Sequence, residues 1–254
     1  MSIKSTMMNF QLTLPTMLER LGQFFPDVEI VSRMPDKSLH RSNYGQVHKR
    51  AKRLASALTK AGINQGECVA TLMWNHYAHL EAYMGIPVMG GVIHTLNLRL
   101  SPEDIAYIAN HAEDKILIVD DVLLPLYEQF KADVNFSKVI VVPLSGAAVS
   151  DEYINYEDFL ASGDGDFDYP MIDENAPAGM CYTSGTTGRP KGVVYSHRST
   201  VLHCFAEAMQ DTLAISQHDV VTPVVPMFHA NAWGLPYTSV MVGAKQVFPG
   251  PHLD

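Results

Sequence analysis

The chain has 254 residues, of which 47% are hydrophobic, and a formal net charge of −9 at pH 7. This length and composition allow a large buried core, either in one big domain or in two smaller ones. The acidic balance argues against a general nucleic-acid-binding protein, although it is compatible with a local cationic pocket for a nucleotide. The three cysteines are widely spaced and form no Cys/His pair, which fits a reducing compartment and no structural zinc.

Apolar runs in the sequence are short. The longest candidate for a membrane-spanning helix, residues 84–93, is shorter than the required length of about 18 residues and contains three glycines and a proline. The first 16 residues mix Lys4, Asn9 and Gln11 among apolar residues and have no continuous signal core. A soluble cytoplasmic protein is therefore expected.

The first half of the chain alternates candidate strands and helices. Helices are predicted at residues 15–21, 44–61, 75–84, 102–111 and 122–130, and strands at 29–33, 38–42, 68–74, 92–96, 115–119 and 138–142. This alternation predicts an α/β fold of βαβ units with a parallel sheet and helices on both of its faces. Ser42 or Asn43 is the candidate N-cap of the helix at 44–61. The basic residues 48–52 are expected to lie mainly on its solvated face.

A connector rich in Gly, Asp and Pro interrupts this pattern. We expect an N-terminal α/β subdomain over residues 1–165, a connector over 166–177 and the start of a second α/β subdomain over 178–254. In the second part, strands are predicted at 178–182, 192–195, 220–225 and 245–248, and helices at about 196–211 and 233–242. The first two of these strands would form a hairpin.

The turn of that hairpin, residues 182–192, reads Tyr-Thr-Ser-Gly-Thr-Thr-Gly-Arg-Pro-Lys-Gly. Glycines let backbone N–H groups approach a ligand, and successive N–H groups form a concave nest that favours anions. Ser184, Thr186 and Thr187 add hydroxyl donors, and Lys191 adds a mobile charge suited to phosphate. These residues predict a polyphosphate-binding loop. The spacing of a Walker A loop is absent, and a solvated linker is disfavoured because apolar strands flank the motif closely.

The loop closely resembles the signature loop of the adenylate-forming superfamily, which includes acyl-CoA synthetases, peptide-synthetase adenylation domains and luciferases. Residues 226–229, Pro-Met-Phe-His, match the second core motif of these enzymes. The similarity runs through nearly the whole chain, and residues 227–236 are most similar to medium- and long-chain fatty acyl-CoA ligases. It implies the fold of the large N-terminal domain of acyl-CoA synthetases, here truncated.

The resemblance also implies residue roles. Thr183 is implied as a ligand of Mg²⁺, and Lys191 and His229 as catalytic residues. The implied nucleotide-binding residues are Thr183, Ser184, Gly185, Thr186, Thr187, Gly188, Lys191, His229, Ala230 and Trp233. In similar ligases the tryptophan lies between the ATP pocket and the acyl tunnel. The alternatives are that His229 is an ordinary core residue and that Trp233 is an aromatic packed on a helix start.

The reaction implied by the resemblance has two halves. A fatty acid carboxylate attacks the α-phosphate of ATP, which releases pyrophosphate, and the thiolate of coenzyme A then displaces AMP. The chain covers roughly the N-terminal half of such an enzyme, and the second magnesium ligand, the ribose-binding aspartate, the hinge and the C-terminal catalytic lysine are absent. We therefore expect a fragment that does not turn over alone.

Two other functions are also compatible with the sequence. One is an adenylation domain that serves a carrier protein, and the other is a non-catalytic nucleotide-binding module. Similar ligases form homodimers through their N-terminal region, so residues 1–21 are a candidate for that contact and equally for a disordered tail. Acyl chain length and peripheral membrane contact are also open.

Overall fold

The computed structural model describes residues 5–183 and 188–252. In this part of the chain the helices are Leu14–Phe24 (α1), Tyr44–Lys60 (α2), Tyr77–Val88 (α3), Pro102–His111 (α4), Leu124–Tyr127 (α5), Tyr156–Ala161 (α6), His197–Ala208 (α7) and Leu235–Val242 (α8). The strands are Glu29–Arg33 (β1), Leu39–Asn43 (β2), Cys68–Leu72 (β3), Val92–Thr95 (β4), Ile116–Asp120 (β5), Lys138–Val142 (β6), Ile154–Asn155 (β7), Pro177–Tyr182 (β8), Gly192–Ser196 (β9), Val220–Val221 (β10) and Lys245–Phe248 (β11).

The larger sheet has seven strands in the order β7-β6-β5-β3-β4-β8-β9. Neighbouring strands in it are parallel except β8 and β9, which form an antiparallel hairpin. The predicted α/β fold with a parallel sheet is confirmed. Because β3, β4 and β8 run in the same direction, their carboxyl ends meet at one edge, where binding sites of such sheets gather. The hairpin turn starts at this edge.

The smaller sheet has four strands in the order β10-β11-β1-β2. Its parallel pair β1 and β11 joins the beginning of the described chain to its end, with Ile30 opposite Gln246. Both sheets therefore contain strands from either side of the connector predicted at 166–177. The division of the chain into sequential subdomains at this connector stays a prediction.

Two hydrophobic cores lie on opposite faces of the larger sheet. The first packs α1, α2, α3, α7 and α8 around fully buried residues such as Leu54 and Tyr83. The second packs α4 against the other face through residues such as Ile105 and Leu117. Helix α3 contacts β1 of the smaller sheet as well as β3, β4 and β8 of the larger one. Helices thus cover both faces, as the alternating pattern predicts.

Some predicted elements differ from the structure. The helix predicted at 122–130 is the single turn α5, flanked by 3₁₀ turns at Asp121–Leu123 and Lys131–Asp133. The strand predicted at 220–225 is limited to Val220–Val221. Strand β7 and helix α6 are additional elements that the sequence pattern does not predict. No helix within residues 5–183 and 188–252 is both long and apolar enough to cross a membrane.

The interpretation of residues 48–52 as solvated surface is wrong for Arg50. Its Nε atom donates to Glu81 at 2.6 Å and its terminal nitrogens donate to Glu157 at 2.7 and 2.8 Å. Glu81 belongs to α3 and faces α2, where its side chain is 2% exposed. A carboxylate at such a position needs a charged partner. The Arg50 side chain of α2 therefore packs towards Glu81 instead of extending into solvent.

Candidate functional site

The hairpin formed by β8 and β9 extends beyond its two strands at the base of the loop. The backbone N–H of Thr183 donates to the carbonyl oxygen of Lys191 at 3.0 Å, and the N–H of Lys191 lies 3.4 Å from the Thr183 hydroxyl oxygen. The side chains of both residues are exposed. Two predicted site residues, one hydroxyl and one ammonium group, therefore stand side by side where the loop leaves the sheet.

The middle of the loop is not described. Ser184, Gly185, Thr186 and Thr187 lie outside the described residues. Gly188, the next described residue, is exposed and has φ +156°. The assignments of these five residues to phosphate binding stay predictions.

A second part of the site is a left-handed turn at Ala230–Gly234. Four consecutive non-glycine residues have φ between +45° and +57°, and Gly234 follows with φ +82°. Each such residue costs about 1–2 kcal/mol relative to a right-handed conformation. Strain of this kind is typical of positions that the surrounding structure fixes for a function. The helix predicted at 233–242 begins only at Leu235 because Trp233 and Gly234 belong to this turn.

The turn presents its predicted residues outward. The Trp233 side chain is 62% exposed, and His229, directly before the turn, is also exposed. Within residues 5–183 and 188–252 the His229 imidazole has no hydrogen-bond partner. The alternatives of a packed core histidine and a packed tryptophan are therefore wrong, while the catalytic role of His229 stays a prediction.

Buried polar side chains hold the segment that leads into the turn. The Asn75 side chain accepts from the N–H of Met227 at 2.7 Å and donates to the carbonyl oxygens of Pro223 and Val225 at 3.0 and 3.2 Å. The Tyr83 hydroxyl donates to the carbonyl oxygen of Met227. Asn75 was predicted to open a helix, but α3 begins at Tyr77 because Asn75 makes these distant contacts instead.

A cavity of about 450 Å³ lies against the turn and the hairpin. Its lining residues come from β9, α7, the turn and the start of α8: Tyr195, Ser199, Thr200, His203, Ala230, Asn231, Trp233, Gly234 and Tyr237. Small-molecule pockets in proteins usually have volumes of about 300–1,000 Å³. The cavity therefore has room for an organic ligand beside Trp233.

One contact joins the two parts of the site. The thiol of Cys181, two residues before Thr183 on the chain, lies 3.8 Å from the hydroxyl of Tyr195, which lines the cavity. Burial raises the pKa of this thiol, so Cys181 remains protonated and acts as a packing residue rather than a nucleophile. The base of the loop and the mouth of the cavity are thus neighbours.

The sequence of the chain matches the model of the AMP-binding enzyme family over residues 18–254. The chain belongs to the AMP-binding enzymes. Among curated proteins, it is 50% identical over 250 residues to a long-chain-fatty-acid–CoA ligase of Thermus thermophilus, a match covering 98% of this chain and 45% of the relative. It is 45% identical over 252 residues to a medium-chain-fatty-acid–CoA ligase of Ectopseudomonas oleovorans, a match covering 98% of this chain and 46% of that relative.

A solved structure supports the fold of this AMP-binding enzyme. The crystal structure of the anthranilate CoA ligase AuaEII in complex with anthranoyl-AMP has a TM-score of 0.84 and 22% sequence identity, and the match covers 96% of this chain and 46% of that one. The chain spans about half the length of the relatives that it matches.

The structure of this AMP-binding enzyme brings the described site residues together in two groups. Thr183, Gly188 and Lys191 lie on the hairpin, and His229, Ala230 and Trp233 lie on or beside the turn. Four residues of the site were not predicted as such: Asn75, Tyr83 and His203, which contact the turn or the segment before it, and Tyr195, which lines the cavity. Only Asn75 carries a usable signal, since a polar residue directly after a buried parallel strand often serves a site.

Proposed function

We propose that this chain supplies the ATP- and acyl-binding part of an AMP-forming fatty acid–CoA ligase. The contact between Cys181, beside the base of the loop, and Tyr195, in the cavity lining, is the observation that carries the proposal. It places an apolar-walled cavity beside the base of a loop whose composition suits polyphosphate. A carboxylate entering from the cavity side and a nucleotide held by the loop would meet there.

Charge compensation is the main requirement of the first half-reaction. Attack of the carboxylate oxygen on the α-phosphorus forms the acyl–phosphate bond and breaks the bond to pyrophosphate, which leaves with the charge. Lys191 is exposed beside the loop, where its ammonium group can stabilise this charge by position alone. Bound Mg²⁺ would neutralise further phosphate charge.

Thr183 fits the requirements of a magnesium ligand. Its hydroxyl group is exposed at the loop base, and Mg²⁺ usually keeps several waters and takes only a few protein oxygens. One hydroxyl ligand is therefore chemically sufficient from this part of the chain. The chain itself contributes the hydroxyl and the neighbouring Lys191.

The acyl group would occupy the cavity beside Trp233. An exposed indole at the mouth of a cavity can close over an aliphatic chain at low entropic cost, because it has only two rotatable side-chain bonds. The names of the fatty-acid–CoA ligases that resemble the chain support a medium or long aliphatic acid. The proposal also includes coenzyme A as a second substrate and a cytoplasmic location for the protein.

A binding experiment tests the acyl cavity. We would fuse the chain to the part of the Thermus thermophilus ligase that it does not match, and titrate the fusion with sulfamoyl adenosine analogues of acyl adenylates carrying 2 to 16 carbons. We expect affinity to rise with chain length, and Trp233→Ala to flatten this dependence. The unmatched part alone serves as the control. Equal affinity for all chain lengths in the unaltered fusion would contradict the proposal.

A further inference from the structure

We propose that helix α4 positions the phosphate loop by holding both of its ends, with Tyr107 and His111 as the positioning residues. We call these two side chains and their contacts the α4 clamp. The inference rests on the proposed function only where nucleotide affinity is concerned. Neither residue belongs to the motifs that point to chemistry.

The first contact of the α4 clamp fixes the entry to the loop. The hydroxyl oxygen of Tyr182 lies 2.6 Å from Nδ1 of His111, within hydrogen-bond distance, and the two rings meet edge to face with centroids 5.8 Å apart. Tyr182 is the last residue of β8 and is 6% exposed. Its burial raises the pKa of the phenol to about 12, so the group is neutral and able to hydrogen-bond to the imidazole. The loop therefore begins at a fixed point.

The second contact fixes the exit from the loop. The guanidinium carbon of Arg189 lies 4.8 Å from the centre of the Tyr107 ring. A cation at this distance from an aromatic face is attracted by the ring quadrupole. Tyr107 and His111 are four residues apart on α4, so they share one face of the helix, and their rings are 5.5 Å apart. One helix face thus contacts the chain on both sides of the loop.

A buried hydrogen-bonded pair packs against the Tyr182 ring and so supports the first contact. Nδ1 of His94 lies 2.7 Å from a carboxylate oxygen of Asp114, and both side chains are fully buried. The His94 ring lies 5.1 Å from the Tyr182 ring. Asp114 follows α4 and donates its backbone N–H to Ala109 of that helix. The end of α4 and the end of β8 therefore pack against the same pair.

The ends matter because an anion-binding segment presents its N–H groups to the ligand only in one backbone arrangement. Holding the residues on either side of such a segment lowers the loss of conformational entropy that accompanies binding. Tyr107 and His111 would therefore raise the affinity for ATP without touching it. They would also protect the loop from proteolysis in the absence of any nucleotide.

Limited trypsin digestion of this chain tests the α4 clamp without any activity. Trypsin cleaves poorly before proline, so Lys191, followed by Gly192, is the reporting site next to the loop. We expect Tyr182→Phe, His111→Leu and Tyr107→Leu each to raise the cleavage rate there about fivefold, as expected for a locally opened segment. Cleavage after Lys37, in the turn between β1 and β2, should not change.

Matched variants distinguish the loss of a positioning contact from a general loss of stability. Tyr127→Phe removes a hydroxyl from the same core without contacting the loop, and should leave cleavage at Lys191 unchanged. His111→Gln keeps a side chain that can hydrogen-bond to the Tyr182 hydroxyl and should restore part of the protection. The double variant Tyr182→Phe with His111→Leu should not exceed the larger single effect. Cleavage at Lys191 within twofold of the original chain in all three clamp variants would overturn the inference.

Titration of the fusion described above, with and without the clamp substitutions, with a fluorescent ATP analogue adds the second readout. If the unaltered fusion binds the analogue, we expect the clamp variants to bind it about fivefold more weakly. Equal affinities would overturn the positioning role while the proposed function stands. If the unaltered fusion binds no nucleotide, the proposed function loses its support, and the trypsin rates still decide for or against the α4 clamp.

Discussion

Nε2 of His203 lies 2.9 Å from the carbonyl oxygen of Trp233. This contact joins α7 to the left-handed turn at the mouth of the cavity. Glu207, one helical turn further along α7, lies 3.4 Å from the same nitrogen and is hydrogen-bonded to Thr238 on α8. Because the turn is strained by its positive φ values, contacts of this kind must hold it in place.

Replacement of His203 should loosen the turn. We expect His203→Ala to lower the fluorescence anisotropy of Trp233 and to shift its emission, measured in a Trp74→Phe background because the chain has two tryptophans. The global unfolding midpoint should change little, since His203 is half exposed. His218→Ala, a change at another exposed histidine, is the control. Unchanged anisotropy in His203→Ala would show that His203 does not hold the turn.

Alanine substitutions at two glycines with positive φ distinguish the cost of backbone strain from the cost of a side-chain clash. A Cβ atom at Gly234 would lie 2.5 Å from the His203 ring, whereas one at Gly62 would meet nothing within 4 Å. We expect Gly62→Ala to lower the free energy of unfolding by about 1–2 kcal/mol. Gly234→Ala should cost about 1 kcal/mol more, because the ring must move. Urea denaturation measures the free energy of unfolding of both variants. Equal losses in the two variants would contradict a clash between the added Cβ atom at position 234 and the His203 ring.

The pair of Arg50 and Glu81 should be a major contribution to stability. Arg50→Ala leaves the buried Glu81 carboxylate without its charged partner, which typically costs about 3–5 kcal/mol in the free energy of unfolding. Arg41→Ala breaks an ion pair with Glu29 in which the Arg41 side chain is 57% exposed, and should cost much less. Denaturation of both variants in urea compares them. A similar loss in the free energy of unfolding in the two variants would argue against a buried charge on Glu81.

Buried histidines should make the fold sensitive to mild acid. Burial lowers the pKa of His79 to about 3 and that of His197 to about 4. In the unfolded chain both histidines take up a proton near pH 6.5, whereas in the folded chain both imidazoles stay unprotonated at that pH. The free energy of unfolding should therefore fall as pH drops from 6.5 to 5, by up to about 1.4 kcal/mol per pH unit for each histidine.

Unfolding in urea at several pH values checks this dependence. His79→Leu removes one of the two titrating groups and should reduce the slope by the contribution of one proton. The absolute stability of this variant will also change, because His79 hydrogen-bonds to Thr71 and to the carbonyl oxygen of Trp74. The prediction concerns how steeply the free energy of unfolding changes with pH, and not its value at any one pH. A slope identical to that of the original chain would contradict it.

Local patterns were sufficient to predict much of the fold. Asn43 caps α2 through a reciprocal contact with Gln46, as the sequence allows, and the apolar runs around residues 182–192 form the predicted hairpin. Such features depend on neighbours in sequence. The parallel sheet follows from the alternation of strands and helices.

Long-range contacts explain what the sequence could not show. Residues 230–233 have ordinary propensities, and their left-handed conformation depends on contacts such as that from His203, 30 residues away. The role of Asn75 depends on Met227, 152 residues further along the chain. Arg50 lies in a basic cluster that looks solvated until α3 places Glu81 against it. Each of these features is defined only when the chain is folded.

Pyrophosphate–ATP exchange tests the central claim most directly, since exchange requires a reversible attack of a carboxylate on ATP. We would assay the fusion with the unmatched part of the Thermus thermophilus ligase, using aliphatic acids of 2 to 16 carbons and amino acids. Exchange that is strongest for acids of eight carbons or more, and about 100-fold weaker in Lys191→Met, is the predicted result. A folded fusion that shows no exchange with any acid would contradict the account and leave a nucleotide-binding module.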